Sequence, residues 1–126
     1  MKHHFFRFIK SGRYIFLLNM LLVNNAYATF VWTGCVTVKG IADYRAYDST
    51  VYVHTSGNYP SCTTWAGQFM FRESVNNVSS EYQKGVISLT STALVSGKQV
   101  QIYYDDSSAA CASQIIILGG AQGQCQ

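Results

Sequence analysis

SSEYQKGVISLTSTALVSGKQVQIYYDD, residues 79–106, combines a helical pattern, a glycine stop and a strand pattern. Ser80 with Gln83 three residues later forms a capping box at the predicted helix start. Apolar residues then recur every three or four positions, as one face of a helix requires: Tyr82, Val86, Leu89, Ala93 and Leu94. Gly97 suits the left-handed position that ends a helix. Beyond it, a strand is predicted because the residues alternate in type, with Val100, Ile102 and Tyr104 set against Gln99, Gln101 and Tyr103.

Short strand patterns surround this unit on both sides. The other predicted strands cover residues 32–39, 51–55, 68–72 and 114–118. Gly34 and Gly40 predict bends or bulges in the first of them. The chain is therefore predicted to be mainly β with one helix, in the order β-β-β-α-β-β. That is the order of a five-stranded OB-fold barrel, and an α+β sheet with one packed helix is the alternative.

The first 28 residues have the pattern of a secretory signal peptide. Basic residues precede an apolar run at 14–23, and Ala26-Tyr27-Ala28 matches a small-residue cleavage site. An uncleaved anchor is the alternative, but the run is shorter than the roughly 20 residues that a spanning helix needs. We expect residues 29–126 to form a single domain that is secreted or periplasmic, without membrane insertion.

Loss of that segment changes the charge of the chain. The whole sequence carries a formal charge of +3, but four of its nine basic residues lie in the first 28. The remaining five face six acidic residues, which gives a net charge of −1. Because no basic cluster is left, the electrostatic signature of a nucleic-acid binder is missing.

All four cysteines fall in the predicted mature part, and an even count in an exported chain indicates two disulfides. A zinc site is the alternative, although there is no C-x-x-C and one mature histidine. Four cysteines allow three pairings. We favour Cys35 with Cys125, which ties the first strand to the chain end, and Cys62 with Cys111, which ties two loops together.

Catalytic motifs are missing from the sequence. His54 lacks the partners that a general base or a metal ligand needs, so it is interpreted as a surface or cross-strand residue. Asp105 and Asp106 follow a strand and precede serines, which is typical of a turn. We expect a protein that is not an enzyme and uses no cofactor or metal.

Aromatic residues are unusually common in the predicted mature part, which has twelve, seven of them tyrosines. Each one alone is best explained as core or rim packing. Tyrosine clusters on loops also suit the binding of sugars or proteins. Residues 40–49 form a polar aromatic connection between two predicted strands.

Three segments resemble the B subunits of pertussis-like AB5 toxins, above all those of subtilase cytotoxin and typhoid toxin. They are Trp32-Thr33-Gly34, the helix, and residues 96–105, SGKQVQIYYD. The resemblance implies an OB-fold, a pentamer, binding of sialylated host glycans and a toxin A subunit as partner. The outer helix face would line such a ring, and an ordinary solvated face is the alternative: Gln83, Lys84, Ser88, Ser91, Thr92 and Val95.

The resemblance also implies a sugar site. It places glycan contacts on Thr33, where the family has serine, and on Tyr104. Strand alternation puts Tyr104 on the side of Val100 and Ile102, so Tyr103 is the alternative surface ring. The predicted function is glycan binding as a toxin B subunit. The alternative is a stand-alone periplasmic or surface-exposed OB-fold protein with a structural or protein-binding role.

Overall fold

A computed structural model describes residues 28–57, 59, 62 and 67–126 of the chain. The predicted signal peptide, apart from its last residue, lies outside these residues, and so does most of the loop that follows the second predicted strand. The described residues form six strands, one long helix and two short helical segments. In chain order these are β1 Phe30–Trp32, β2 Val38–Tyr44, α1 Arg45–Asp48, β3 Thr50–Thr55, β4 Gln68–Arg72, α2 Ser80–Ser96, β5 Val100–Asp105, β6 Ser113–Leu118 and a 3₁₀ turn Ala121–Gly123.

The strands make two antiparallel three-stranded sheets. The order is β1-β5-β6 in one sheet and β2-β3-β4 in the other. Helix α2 packs against β2, β3 and β6. The sheets do not close into a barrel, so the predicted five-stranded barrel is not confirmed. The structure agrees with the alternative prediction of an α+β protein with one packed helix.

The first predicted strand divides into two, and Thr33 stands at the division. Its backbone N–H donates to the Ile102 carbonyl, while its side-chain Oγ1 accepts the Ile102 N–H at 2.9 Å. The Thr33 side chain thus accepts the N–H that the Thr33 backbone carbonyl would accept in a regular antiparallel ladder, and the β1–β5 ladder ends there. After Val36 the chain changes partner and pairs with β3, with a bulge between Val38 and Gly40 as the glycine predicts.

Two single bridges connect the sheets. Val36 pairs antiparallel with Val100, and Met70 pairs parallel with Ala112. The first bridge joins the residue two positions before β2 to the first residue of β5. The second joins a residue within β4 to the residue just before β6. The two sheets are therefore joined at two places, and their buried residues belong to one core.

Helix α2 begins one residue earlier than the capping box predicts. Ser79 is the N-cap and its Oγ accepts the Tyr82 N–H at 3.0 Å. Gly97 ends the helix in the left-handed conformation, as predicted, and its N–H donates to the Ala93 carbonyl. Gln83 is not on the outer face of the helix. It is buried, and its Nε2 donates to the carbonyls of Ser49 and Phe71 at 2.6 and 2.7 Å.

The core lies between the two sheets and the inner face of α2. Both sheets supply fully buried side chains at alternating positions, as half-buried strands require. The largest fully buried apolar side chains of the core, with Val86 contributed by α2, are Phe69, Phe71, Ile102, Val51, Val53, Val86 and Val100. Leu94, which the helical pattern assigns to the core face, is instead 41% exposed, because it lies at the edge of the packed stripe, in the last turn of α2.

Candidate functional site

Tyr103 lies on the outer face of the sheet β1-β5-β6, between two rings of the neighbouring strand. Its ring centroid is 5.2 Å from that of Phe30 and 5.0 Å from that of Trp32. We call Phe30, Trp32 and Tyr103 the aromatic row. Trp32 is 43% exposed and the other two are half-buried. The row is a solvent-facing aromatic surface of the kind that stacks against apolar faces of ligands.

Strand register explains why these rings meet. Trp32 pairs directly with Tyr103, and Phe30 pairs with Asp105 two residues further along β5. Side chains of paired residues and of residues two apart share one face of a sheet. On the other side of Tyr103, its pairing partner Ile115 in β6 is 37% exposed and extends the surface.

Polar groups border the aromatic row at both ends of β5. Asp105 is half-buried, and its Oδ1 accepts the Ser107 N–H at 2.9 Å. Gln101 is half-buried, and its Oε1 accepts the Ala121 N–H at 2.8 Å. Amide and carboxylate groups beside an aromatic surface offer hydrogen bonds to a ligand that stacks on the rings.

Thr33 does not lie on this surface. It is only 3% exposed, and its hydroxyl is occupied by the Ile102 N–H. The side chain therefore supports the β1–β5 junction, and it is not accessible to a sugar in this conformation.

Tyr104 is also buried, with 6% of its surface exposed. Its ring packs edge-to-face against Phe69 at 5.1 Å and against Tyr59 at 5.7 Å. Tyr59 in turn packs against Phe69 at 4.9 Å. Burial, with a smaller contribution from nearby Tyr104, raises the pKa of the Tyr59 hydroxyl, although a hydrogen bond with the Thr33 side chain lowers it.

Of the three predicted glycan residues, Tyr103 alone reaches the surface. Thr33 and Tyr104 meet instead around Tyr59 in the core. The alternation of β5 explains the difference, because Val100, Ile102 and Tyr104 are buried while Gln101, Tyr103 and Asp105 face outward. Phe30 and Trp32 were not predicted as site residues. Their spacing of two places both on one face of a strand, but it is the pairing with β5, seen in the structure, that brings them to Tyr103.

A second aromatic cluster lies on the outer side of the other sheet. Tyr44, Tyr47, Asp48 and Tyr52 line a cleft of about 210 Å³, which we call the tyrosine cleft. Tyr44 and Tyr52 contact each other edge-to-face at 5.9 Å, and Tyr47 projects from α1 with 91% of its surface exposed. The polar aromatic composition of residues 40–49 indicated this cluster, but its concave shape requires the turn at α1.

Ion pairs hold the turn around the tyrosine cleft. The Arg45 guanidinium donates to both carboxylate oxygens of Asp43, at 2.9 and 2.8 Å. These hydrogen bonds lower the pKa of Asp43 and raise that of Arg45. Asp48 pairs with Arg72 at 3.3 Å, and Arg72 also donates to Thr50 Oγ1.

Both disulfides follow the favoured pairing, Cys35–Cys125 and Cys62–Cys111. Two disulfides in a small domain indicate an oxidising, extracytoplasmic compartment. None of the helices in the described part of the chain is long and apolar enough to cross a membrane. Among the same residues, no group of His, Cys, Asp and Glu is arranged to hold a metal, and His54 pairs across strands with Gly40 and Gln68.

Comparisons with protein-family models, with curated proteins and with solved structures find no match to this chain. The resemblance to AB5 toxin B subunits therefore stays a prediction.

Proposed function

We propose that the chain is an exported carbohydrate-binding domain, and that the aromatic row binds the sugar. The observation that carries this proposal is the set of contiguous rings around Tyr103, two of them within 5.2 Å of it. A sugar ring has an apolar face that stacks on aromatic rings, while its hydroxyls bond to flanking polar groups. Gln101 and Asp105 stand beside Tyr103 on the same face of β5 and provide such groups.

More specifically, we propose that the chain is a sialoglycan-binding B subunit of an AB5-type toxin. Such a subunit forms a pentameric ring and delivers an A subunit. This proposal rests on the resemblance of Trp32-Thr33-Gly34 and residues 96–105. We assign the sugar contact to Tyr103 and not to Thr33 or Tyr104, because these two side chains are buried. The exposed part of α2 offers a surface for the ring: Lys84, Ser88, Ser91, Thr92 and Val95.

We further propose that the two sheets are an opened OB-type barrel. Residues 30–44 pair first with β5 and then with β3, as one bent strand shared between two sheets. The parallel bridge between Met70 and Ala112 lies where the third and fifth strands of such a barrel meet. The position of α2 between β4 and β5 supports the same architecture.

A second candidate function is protein binding by a stand-alone exported protein. The apolar extension of the aromatic row favours it, because Ile115 and the half-buried Ile117 add aliphatic surface beside Tyr103. Aliphatic surface of this kind suits a protein side chain better than a hydroxylated sugar.

A glycan array separates the two candidates. The exported protein, expressed from the full chain, is expected to bind glycans, and Trp32→Ala and Tyr103→Ala are expected to lose most of the signal. Lys98→Ala is a control, because Lys98 is exposed, follows the end of α2 and is not part of the row. The proposal fails if the wild-type protein ignores both sialylated and neutral glycans, and that result favours the protein-binding candidate.

A further inference from the structure

The tyrosine cleft is a concave site on the sheet β2-β3-β4, separate from the aromatic row. Tyr44 follows Asp43 at the end of β2, and Tyr52 lies in β3 opposite Ala42. The turn through α1 then brings Tyr47 and Asp48 to the same cleft, which is shallow and open to solvent. Its volume of about 210 Å³ is below the range for drug-sized ligands, so it suits a ligand of one small ring.

Asp48 gives the cleft an acceptor with spare capacity. Its Oδ2 accepts a hydrogen bond from Arg72 at 3.3 Å, which is long for a charge-assisted hydrogen bond. Its Oδ1 is buried and accepts no hydrogen bond from the described residues. Because Oδ1 is buried, a ligand in the cleft reaches this carboxylate at Oδ2, on a side chain that is 35% exposed.

The charges around the cleft balance each other. Arg72 is paired with Asp48 and Arg45 with Asp43, so both arginines already neutralise a carboxylate of the protein. An anionic ligand such as a sialic acid would have to compete with these pairs. An organic cation would be attracted by the rings and repelled by Arg72. An uncharged ligand with hydroxyl donors meets neither difficulty.

We propose that the tyrosine cleft is a second binding site that takes a single neutral sugar residue. One tyrosine ring stacks on the apolar face of the sugar, and Asp48 accepts a hydroxyl. This inference adds a second site, which prefers a neutral sugar, to the proposed carbohydrate-binding function. It does not depend on the aromatic row being a site.

The test is a set of titrations followed by amide chemical shifts in NMR spectra of the exported protein. The probes are galactose, glucose and N-acetylglucosamine as neutral sugars, N-acetylneuraminic acid as an anion and tetramethylammonium as a cation. We expect a neutral sugar to bind most tightly and to shift the amides of Tyr44, Tyr47 and Tyr52. Loss of one ring or one acceptor is expected to weaken that binding by up to about tenfold.

Tyr47→Ala is the decisive variant, because a side chain that is 91% exposed can be removed without disturbing the core. Asp48→Asn tests the acceptor, with thermal unfolding as a check on its fold. Trp32→Ala is the matched control and is expected to keep the cleft-dependent binding.

The outcomes distinguish the two proposals. Neutral-sugar binding that Tyr47→Ala weakens and Trp32→Ala does not supports the cleft. Binding that responds to Trp32→Ala and not to Tyr47→Ala overturns the cleft and leaves the proposed function in place. Tighter binding of tetramethylammonium or of N-acetylneuraminic acid that shifts the amides of Tyr44, Tyr47 and Tyr52, or no shift of these amides with any probe, also overturns it.

Discussion

The hydroxyl of Thr33 has a structural role. It accepts the Ile102 N–H in a site that is 3% exposed. Thr33→Ala leaves that amide without its acceptor and is expected to reduce the free energy of unfolding by about 1–3 kcal/mol. Urea denaturation measures the change.

Thr92→Ala is the matched control for Thr33→Ala, because Thr92 is exposed on α2. It is expected to change stability by about 0.5 kcal/mol or less. Equal effects of the two substitutions would show that the Thr33 hydroxyl does not hold the β1–β5 junction.

Tyr59 predicts a stability change at alkaline pH. Burial raises the pKa of its hydroxyl. Between the ordinary tyrosine pKa of about 10 and this raised pKa, the hydroxyl is protonated in the folded chain and ionised in the unfolded chain. The resulting stabilisation is complete below the ordinary pKa and disappears as the pH rises through the pKa of the folded state. Thermal unfolding at about pH 9 and about pH 11 is expected to show a larger fall in Tm for the wild type than for Tyr59→Phe. The same fall in both proteins would contradict the burial of this hydroxyl.

Side-chain orientation along β5 was predictable from the residues alone. The alternation of Val100, Ile102 and Tyr104 with Gln101 and Tyr103 correctly separates core from surface. The partners of Tyr103 were not predictable, because Phe30 and Trp32 reach it through pairing between strands about 70 residues apart in the sequence. Periodicity reports which face a residue occupies and carries no information about which strand lies beside it.

At the scale of the elements, Gln83 attaches helix α2 to the sheet β2-β3-β4. Its Nε2 donates to the carbonyls of Ser49 and Phe71, and the side chain is 1% exposed. Gln83→Leu preserves most of the volume and removes both hydrogen bonds. We expect a loss of about 1–3 kcal/mol in the free energy of unfolding, measured by urea denaturation.

Lys84→Ala is the control for Gln83→Leu. Lys84 is exposed and pairs with Glu81 at 2.7 Å on the surface of the helix. Exposed pairs of this kind contribute little, so the substitution is expected to change stability by less than about 1 kcal/mol. A Gln83→Leu protein as stable as Lys84→Ala would contradict the role of Gln83 as a tether.

The ends of elements were predictable where local chemistry sets them. Gly97 ends α2 in the left-handed conformation, and β4 covers the same residues that its pattern predicts. The division of the first strand was not predictable, because it depends on a contact between Thr33 and Ile102, 69 positions apart. The burial of Gln83 was missed for a similar reason, since its two acceptors belong to other elements.

For the whole molecule, the assembly state remains a prediction from the toxin resemblance. The exposed face of α2 carries small polar side chains and Val95, and a shallow groove of about 350 Å³ is lined by Ser91, Thr92, Val95 and Ser96. Small side chains allow two helices to approach closely. Light scattering on the exported protein is expected to show a closed oligomer, most simply a pentamer.

A substitution tests whether α2 forms the contact in that oligomer. Val95→Glu places a charge at the centre of the groove and is expected to dissociate the oligomer without lowering Tm of the subunit. Lys98→Glu, beyond the end of the helix, is the charge-matched control. A wild-type protein that is monomeric at micromolar concentration would contradict the ring.

Carbohydrate binding by the aromatic row can be observed directly in NMR spectra. The exported protein is measured with and without a glycan from the array. The indole N–H signal of Trp32, assigned by its loss in Trp32→Phe, is followed during the titration together with the amides of Tyr103 and Ile115. All three signals are expected to shift along one saturating curve, and Tyr103→Ala is expected to abolish these shifts. A glycan that binds while all three signals stay in place would contradict binding by the aromatic row.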